Sequence, residues 1–220
     1  MRKYSLSEEN YLKAIFHLEQ STHGNVSTND IAERMETKAS SVSDMIRKLG
    51  DKNLVDYIKY QGVTLTDRGR KTALKVIRKH RLWEVFLVEK LNFQWDEVHE
   101  IAEELEHIES EELITRLDAF LGYPEFDPHG DPIPDENLRI KKIEKRLLSE
   151  LRVGQEGICV GVHESDNDFL QYLDKRQIGI GTKIKVEIVE SFDESMTIQV
   201  GENKYFISQK IAENIYVQIR

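Results

Sequence analysis

Near Leu151 the apolar residues of this chain change their period, and that change limits what the chain can fold into. Upstream, hydrophobic side chains recur every three or four positions, as a helix with one buried face requires. Downstream, short runs alternate between apolar and polar. Gly157-Ile158-Cys159-Val160-Gly161-Val162, Lys183-Ile184-Lys185-Val186-Glu187-Ile188-Val189, Met196-Thr197-Ile198-Gln199-Val200 and Lys204-Tyr205-Phe206-Ile207-Ser208 are separated by turn residues. Alternation puts every second side chain on one face of a sheet, so these runs predict a small β-barrel of about 70 residues, with 168–173 as a helical insert. A helical portion and a β portion cannot share one layer, so separate cores are expected. The proline-bearing stretch 123–135 marks the passage between them, and Arg139-Ile140-Lys141-Lys142-Ile143-Glu144-Lys145-Arg146-Leu147 is predicted to be a basic helix.

The helical portion opens with a recognisable series. Ser7-Glu8-Glu9-Asn10-Tyr11-Leu12-Lys13-Ala14-Ile15-Phe16-His17-Leu18 places apolar residues at 11, 12, 15, 16 and 18 behind a serine cap. A short second helix is expected from about Thr28 to Met35. After a turn at 36–38, Ala39-Ser40-Ser41-Val42-Ser43-Asp44-Met45-Ile46-Arg47-Lys48-Leu49 turns Val42, Met45, Ile46 and Leu49 inward and a small, polar, basic face outward. Residues 54–66 then alternate on both sides of a glycine-containing turn, which predicts a hairpin. Helix, tight turn, helix and hairpin in this order read as a winged helix-turn-helix, whose second helix enters a DNA major groove. Lys38, Ser40, Ser41, Ser43 and Arg47 are the candidate DNA contacts on that helix. Lys59 and Gln61 on the wing are the candidates for backbone phosphates.

Charge is divided in the same place. The net charge of -9 would argue against a nucleic-acid partner if it were evenly spread. Residues 38–81 carry twelve Lys/Arg against four Asp, whereas residues 84–136 carry two against seventeen Asp/Glu. A basic nucleic-acid-binding module followed by an acidic, cation-binding one has this distribution.

The acidic part contains His80 and Glu84, four residues apart, then His99, Glu103, Glu106 and His107 at helical spacings. Side chains three, four or seven positions apart fall on one helix face, so two helices can converge imidazoles and carboxylates on one ion. Such ligands without thiolates suit Mn(II), Fe(II), Co(II) or Ni(II), with zinc as a frequent competitor. The one cysteine, Cys159, lies in an apolar strand and is expected to be buried; it excludes an intramolecular disulfide framework and any Cys-rich zinc finger. An enzyme is the first alternative: Glu104-x-x-His107 echoes carboxylate-bridged di-iron bundles, and His99-Glu100 begins like a zinc peptidase. Neither pattern completes, because no second Glu-x-x-His follows and Glu stands at 103 where the peptidase helix needs His. A winged-helix regulator answering an organic ligand is the second alternative.

In order along the chain, Glu9-Asn10-Tyr11-Leu12, the winged helix, Arg78-Lys79-His80-Arg81-Leu82-Trp83-Glu84, Val98-His99 through Glu106-His107, Asp127-Pro128-His129-Gly130 and Leu151-Arg152-Val153-Gly154-Gln155 resemble the iron- and manganese-dependent repressors of the diphtheria toxin repressor and manganese transport regulator type. The resemblance covers nearly the whole chain. It implies a mainly α fold with β: a winged helix-turn-helix over 1–73, a helical metal-binding and dimerisation domain over 74–138, and an SH3-like, FeoA-type domain over 139–220. It also implies a cytoplasmic homodimer that is not an enzyme and does not associate with a membrane, activated by Mn(II) or Fe(II) to repress metal-homeostasis genes at operator DNA. His80, Glu84 and His99 match ligands of one family site, completed from Asp127 or His129 and from Glu164. Glu103, Glu106 and His107 match ligands of the other, where Asn10 stands in place of a more usual Asp or Met. Asp127 stands where several relatives carry Cys, which hardens its site toward Mn(II) and Fe(II). Glu103, where iron-type members carry Cys, points toward manganese.

Overall fold

The computed structural model describes residues 3–22, 24–58, 62–163 and 166–219. They divide into two compact units: Met1–His80 with Glu104–Thr115 and Pro134–Arg139, and Arg81–Glu103 with Arg116–Ile133 and Ile140–Arg220. Three helices, α4 (Asp67–Leu91), α5 (Val98–Leu105) and α6 (Glu111–Phe120), contribute residues to both units.

The first unit contains α1 (Leu6–Thr22), α2 (Thr28–Arg34), α3 (Ala39–Asp51) and the antiparallel pair β1 (Val55–Ile58) and β2 (Gly62–Leu65). Ser5 starts α1 by a reciprocal cap: its hydroxyl accepts from the Glu8 N–H at 3.3 Å, and its own N–H donates to Glu8 Oε2 at 2.9 Å. Tyr11, Leu12, Ile15 and Phe16 are buried, as the helical period requires. Ser27 caps α2 in the same reciprocal manner with Asp30. On α3 the buried residues are Val42, Ile46 and Leu49, while Met45 is only half-buried. The hairpin gains a third chain at Val26, whose N–H and C=O both pair with Val63 at 2.9 Å. That approach explains Gly62, which has φ +109 and where a Cβ would lie 2.7 Å from the Val26 carbonyl oxygen. The hairpin tip at 59–61, with Lys59 and Gln61, lies outside the described residues.

The second unit holds the six-stranded antiparallel sheet in the order β3-β8-β4-β5-β6-β7. Its strands are β3 (Arg146–Leu147), β4 (Glu156–Val162), β5 (Lys183–Val189), β6 (Met196–Val200), β7 (Asn203–Ile207) and β8 (Ile215–Ile219). The helical insert is α7 (Asn167–Asp174), capped by Asp166, and a further short helix, α8 (Gln209–Ala212), precedes β8. One core joins Leu148, Cys159, Leu170, Leu173, Ile184, Val186, Ile198 and Val217. Burial pushes the Cys159 thiol up to about 11, so it stays protonated and behaves as an apolar side chain. β3 and β7 stand at the ends of the sheet, with no ladder between them among the described residues. The unit also contains the part of α4 from Arg81 onward and the second half of α6, from Arg116.

The basic helix expected over 139–147 is not formed: residues 139–145 are irregular and lead into β3. Like charges at Arg139, Lys142, Lys145 and Arg146 recur at helical spacing and would repel along a helix. From Ile143 to Leu147 burial instead alternates residue by residue, the mark of an extended chain against a surface. Lys145 is held there by the face of Tyr216, with Nζ 3.7 Å from the ring centroid.

Glu8 fastens α1 to the end of α3. It is fully buried and takes Lys52 Nζ at 2.7 Å and Lys48 Nζ at 3.0 Å. Burial alone would raise its pKa; hydrogen bonds from Lys52, the Ser5 N–H and Lys48 outweigh burial and hold it at about 2. The folded value lies below the unfolded one, so this contribution is present above about pH 4.5 and is lost as pH falls toward 2. Replacing Glu8 by Gln should lower stability by about 2 kcal/mol at pH 7, allowing for the exposure of both lysines. In urea unfolding followed across pH, the gap between variant and wild type should close between about pH 4.5 and 2; a gap independent of pH would refute the linkage.

Candidate metal centres and nucleic-acid interface

Helix α3 presents Ser40, Ser41, Ser43 and Arg47 outward, with Lys38 exposed just ahead of its first turn. This follows from the placement of Val42, Ile46 and Leu49 on the opposite face. Ser43 Oγ donates to the Ala39 carbonyl at 2.9 Å, and Arg47 makes only a 3.4 Å contact with Asp44, both groups more than 70% exposed. An ion pair so exposed contributes little stability, so Arg47 can exchange Asp44 for an anionic ligand at small cost.

The first unit gathers Glu106, His107, His80, Glu9, Asn10 and Lys13. Glu106 is fully buried, with Lys13 Nζ at 2.8 Å and His80 Nδ1 at 2.7 Å. Burial would raise the Glu106 pKa, but the His80 hydrogen bond and the Lys13 charge prevail and lower it. His107 Nδ1 lies 2.7 Å from Glu9 Oε2, and its Nε2 lies 3.7 Å from Glu106 Oε1. Asn10 Oδ1 is buried and has no hydrogen-bond partner among the described residues. A buried acceptor left unpaired costs about 1–3 kcal/mol, so this oxygen, beside Glu9 in sequence, fits a place where a cation supplies the missing partner.

The second unit gathers Glu84, Asp127, His129 and His99. Glu84, Asp127 and His129 are each no more than 7% exposed, and each offers one ligand atom within 4.8 Å of the others. Glu84 Oε1 lies 3.6 Å from His129 Nδ1 and 3.6 Å from His99 Nδ1. His99 Nε2 lies 3.6 Å from Glu103, which is half-exposed. The turn 127–131 sets two of these groups: Asp127 Oδ1 accepts from the N–H groups of His129 and Asp131, both at 2.9 Å, leaving Oδ2 for Arg81 Nε at 3.3 Å. Arg81 also donates to the Pro132 carbonyl at 2.6 Å and to Asp131 at 3.1 Å.

The electrostatics show a demand for positive charge. Burial first, then Glu84 and Asp131, raise the Asp127 carboxyl to about 7, with Arg81 and His129 pulling the other way. Burial disfavours charge on His129, but Glu84 and Asp127 overcome it and raise the imidazole to about 9. Oxygen and imidazole donors that hold protons against repulsion fit a divalent ion of borderline hardness. His129 Nε2 donates to the Trp95 carbonyl at 2.8 Å, which directs Nδ1 toward Glu84.

Glu164 lies outside the described residues. Lys13, Arg81 and Trp95 carry parts of these centres that sequence reasoning did not assign. Arg81 sits inside the Arg78 to Glu84 motif and could have been suspected from it. Lys13 and Trp95 act through placement, for which the sequence carries no signal.

The chain thus sets a winged helix ahead of buried clusters of imidazoles and carboxylates. Family models agree: "Iron dependent repressor, N-terminal DNA binding domain" matches residues 3–63, "Iron dependent repressor, metal binding and dimerisation domain" 66–135, and "FeoA domain" 146–219. The chain belongs to the iron-dependent repressor family. It is 31% identical over 168 residues to a diphtheria toxin repressor of Corynebacterium jeikeium, covering 76% of this chain and 70% of that protein. It is 36% identical over 126 residues to the iron-dependent repressor IdeR of Mycobacterium leprae, covering 57% of this chain and 54% of that one. The chain thus spans about half of that relative, and only 30% of a probable metal transport system membrane protein of Chlamydia trachomatis that it also matches. A solved manganese-dependent transcriptional repressor in complex with manganese superposes with TM-score 0.89 at 36% identity, covering 97% of this chain and all of that one. Among the described residues no helix is long and apolar enough to cross a membrane.

The turn that carries Asp127 and His129 is seated on β4. The Val162 N–H donates to the His129 carbonyl at 3.1 Å, and Gly130, with φ +85, lies where a Cβ would be 2.1 Å from the Val160 carbonyl oxygen. Val160 is reoriented by a register shift of β4 against β8 between Cys159 and Gly161. Gly130→Ala should therefore lift the turn and cost about 1–3 kcal/mol in urea unfolding. Wild-type stability in that variant would mean the turn is not so seated.

Proposed function

We propose that this chain is a homodimeric transcriptional repressor of metal homeostasis that binds double-stranded operator DNA when loaded with Mn(II) or Fe(II). The observation that carries it is the buried trio Glu84, Asp127 and His129, with Glu84 on the helix that begins at the end of the wing. His99 joins Glu84 in one centre, with Glu164 as a further ligand; His80, which the resemblance matches to that centre, is bonded to Glu106 in the first unit. Asn10, Glu106 and His107 form the other, with Glu9 close enough to supply the charge that Asn10 lacks. Glu103, which the resemblance matches to the Glu106 site, lies 3.6 Å from His99 and is taken as a ligand there. The hard donor set favours Mn(II) and Fe(II) over zinc.

A bound divalent ion supplies two positive charges that need no proton. The residues do the rest. Glu84, Asp127 and His129 Nδ1 would hold the ion, the imidazole proton passing to solvent, while Arg81 keeps the Asp127 turn closed. α4 runs unbroken from Asp67 at the wing through His80 and Glu84, so order imposed at its middle is carried to its start. Lys38, Ser40, Ser41, Ser43 and Arg47 then contact the major groove, with Lys59 and Gln61 on flanking phosphates. Leu91, Phe120 and Tyr123, each more than half exposed, supply the dimer surface. The working domains are 1–73, 74–138 and 139–220, and the protein acts in the cytoplasm without catalysing a reaction.

Equilibrium binding of a labelled promoter fragment with Mn(II), Fe(II) or EDTA tests this. Metal should raise affinity about 5- to 150-fold, the usual span of allosteric coupling. Glu84→Gln and Glu106→Gln should each remove most of that gain. Affinity indifferent to metal, or a full response in both variants, would overturn the proposal.

A further inference from the structure

Helix α7 belongs to the core of the β portion, where Leu170 and Leu173 are fully buried. Its outer side holds the two residues that precede α5 by a short turn. Trp95 Nε1 donates to Asp174 Oδ2 at 3.0 Å, and Gln171 Nε2 donates to the buried Asp96 at 3.0 Å. Trp95 also packs against the β core as a partly buried side chain. All of these residues lie in the second unit.

Trp95 meets His129 twice. Its indole lies nearly parallel to the imidazole, with centroids 5.9 Å apart and planes 19° from parallel, and its carbonyl accepts from His129 Nε2 at 2.8 Å. A neutral imidazole that donates through Nε2 has its lone pair on Nδ1, and Nδ1 is the nitrogen 3.6 Å from Glu84. The carbonyl fixes which nitrogen is free, and the stacked indole fixes the plane of the ring. Carbonyl and side chain of one residue thus select both tautomer and direction.

We infer that Trp95 is a positioning residue that presents His129 Nδ1 to the metal, and that α7 of the C-terminal domain holds Trp95 in place through Asp174 and the neighbouring Gln171–Asp96 bond. This rests on the metal reading above and adds to it a role for the C-terminal domain that requires no ligand from α7. The domain sets the affinity of the Glu84 centre by holding the loop before α5, while the centre around Glu106 is left unchanged.

The test uses the full chain and Mn(II), with free Mn(II) followed by electron paramagnetic resonance. Trp95→Ala should weaken binding at the Glu84 centre about tenfold, the lower end of what loss of an outer-shell partner costs. Trp95→Phe, which keeps an aromatic ring, and Asp174→Ala, which leaves the indole in place, each remove the Nε1 bond to α7 and should weaken it about threefold. In a His129→Gln background Trp95→Ala should cost nothing further, because its effect passes through that imidazole. Binding at the Glu106 centre should stay at its wild-type level in all of them, which also verifies folding. Without metal, the His129 Nε2–H should exchange slowly with water in NMR spectra, and faster in Trp95→Ala. Wild-type affinity in Trp95→Ala, an undiminished loss in the His129→Gln background, or unaltered N–H exchange would overturn the inference. A wild-type chain that takes up no Mn(II) would sink the metal reading, and the metal-free exchange measurement would still decide whether Trp95 holds the ring.

Discussion

Glu84 and Asp127 are two carboxylates buried within reach of each other, and much of the second unit can be understood as an answer to their repulsion. Removing one ionised carboxylate from water costs several kcal/mol unless it is paired, and two together cost more. The chain brings Arg81 to Asp127 from the turn of α4 before Glu84, and it keeps a proton on His129. It also occupies Asp127 Oδ1 with two backbone N–H groups, so only Oδ2 must be neutralised. These devices suffice to fold the turn. They leave the site dependent on protons, which a cation can replace.

The first unit meets the same difficulty with other means. Glu106 is neutralised by the Lys13 ammonium and the His80 imidazole, and its pKa falls where that of Asp127 rises. An ammonium on a flexible stem can withdraw, whereas the guanidinium of Arg81 is fastened at three acceptors. The two centres therefore differ in what a cation must displace: a mobile charge at Glu106, a proton at His129. Asn10 adds a neutral oxygen that asks for a partner without adding repulsion.

Much of this was legible in the sequence because it rests on periodicity. The inward residues of α3, the Ser, Lys and Arg face opposite them, the wing and the β period after Leu151 follow from spacing alone, and so do the helix faces carrying His80, Glu84 and His99, whereas Glu106 and His107 lie in the turn after α5. Helical spacing misled at 139–147, where Ile140, Ile143 and Leu147 have the period of a helix but the basic residues between them find their partners outside the segment, Lys141 at Glu125 and Lys145 at Asp131. Half-burial of Met45 was also invisible, since a one-dimensional pattern does not say how wide a groove is. The roles of Lys13, Arg81 and Trp95 are tertiary. Lys13 reaches Glu106 from 93 positions away, and Trp95 acts on His129 through a carbonyl that every residue possesses.

That last point explains why a β domain belongs in a protein whose other parts are helical. A loop such as 127–131, with glycine at positive φ and the polar side chains of Asp127 and His129 turned inward, has too little apolar surface to hold itself in one conformation. Seated against the reoriented Val160 of β4, it borrows the rigidity of a core of buried apolar side chains. The same core carries α7, and α7 carries Trp95 and Asp96. The loop that carries Asp127 and His129 and the turn that carries Trp95 are thereby referred to one rigid body. Placement of this kind lets a few ångströms of carboxylate spacing distinguish a bound cation from none.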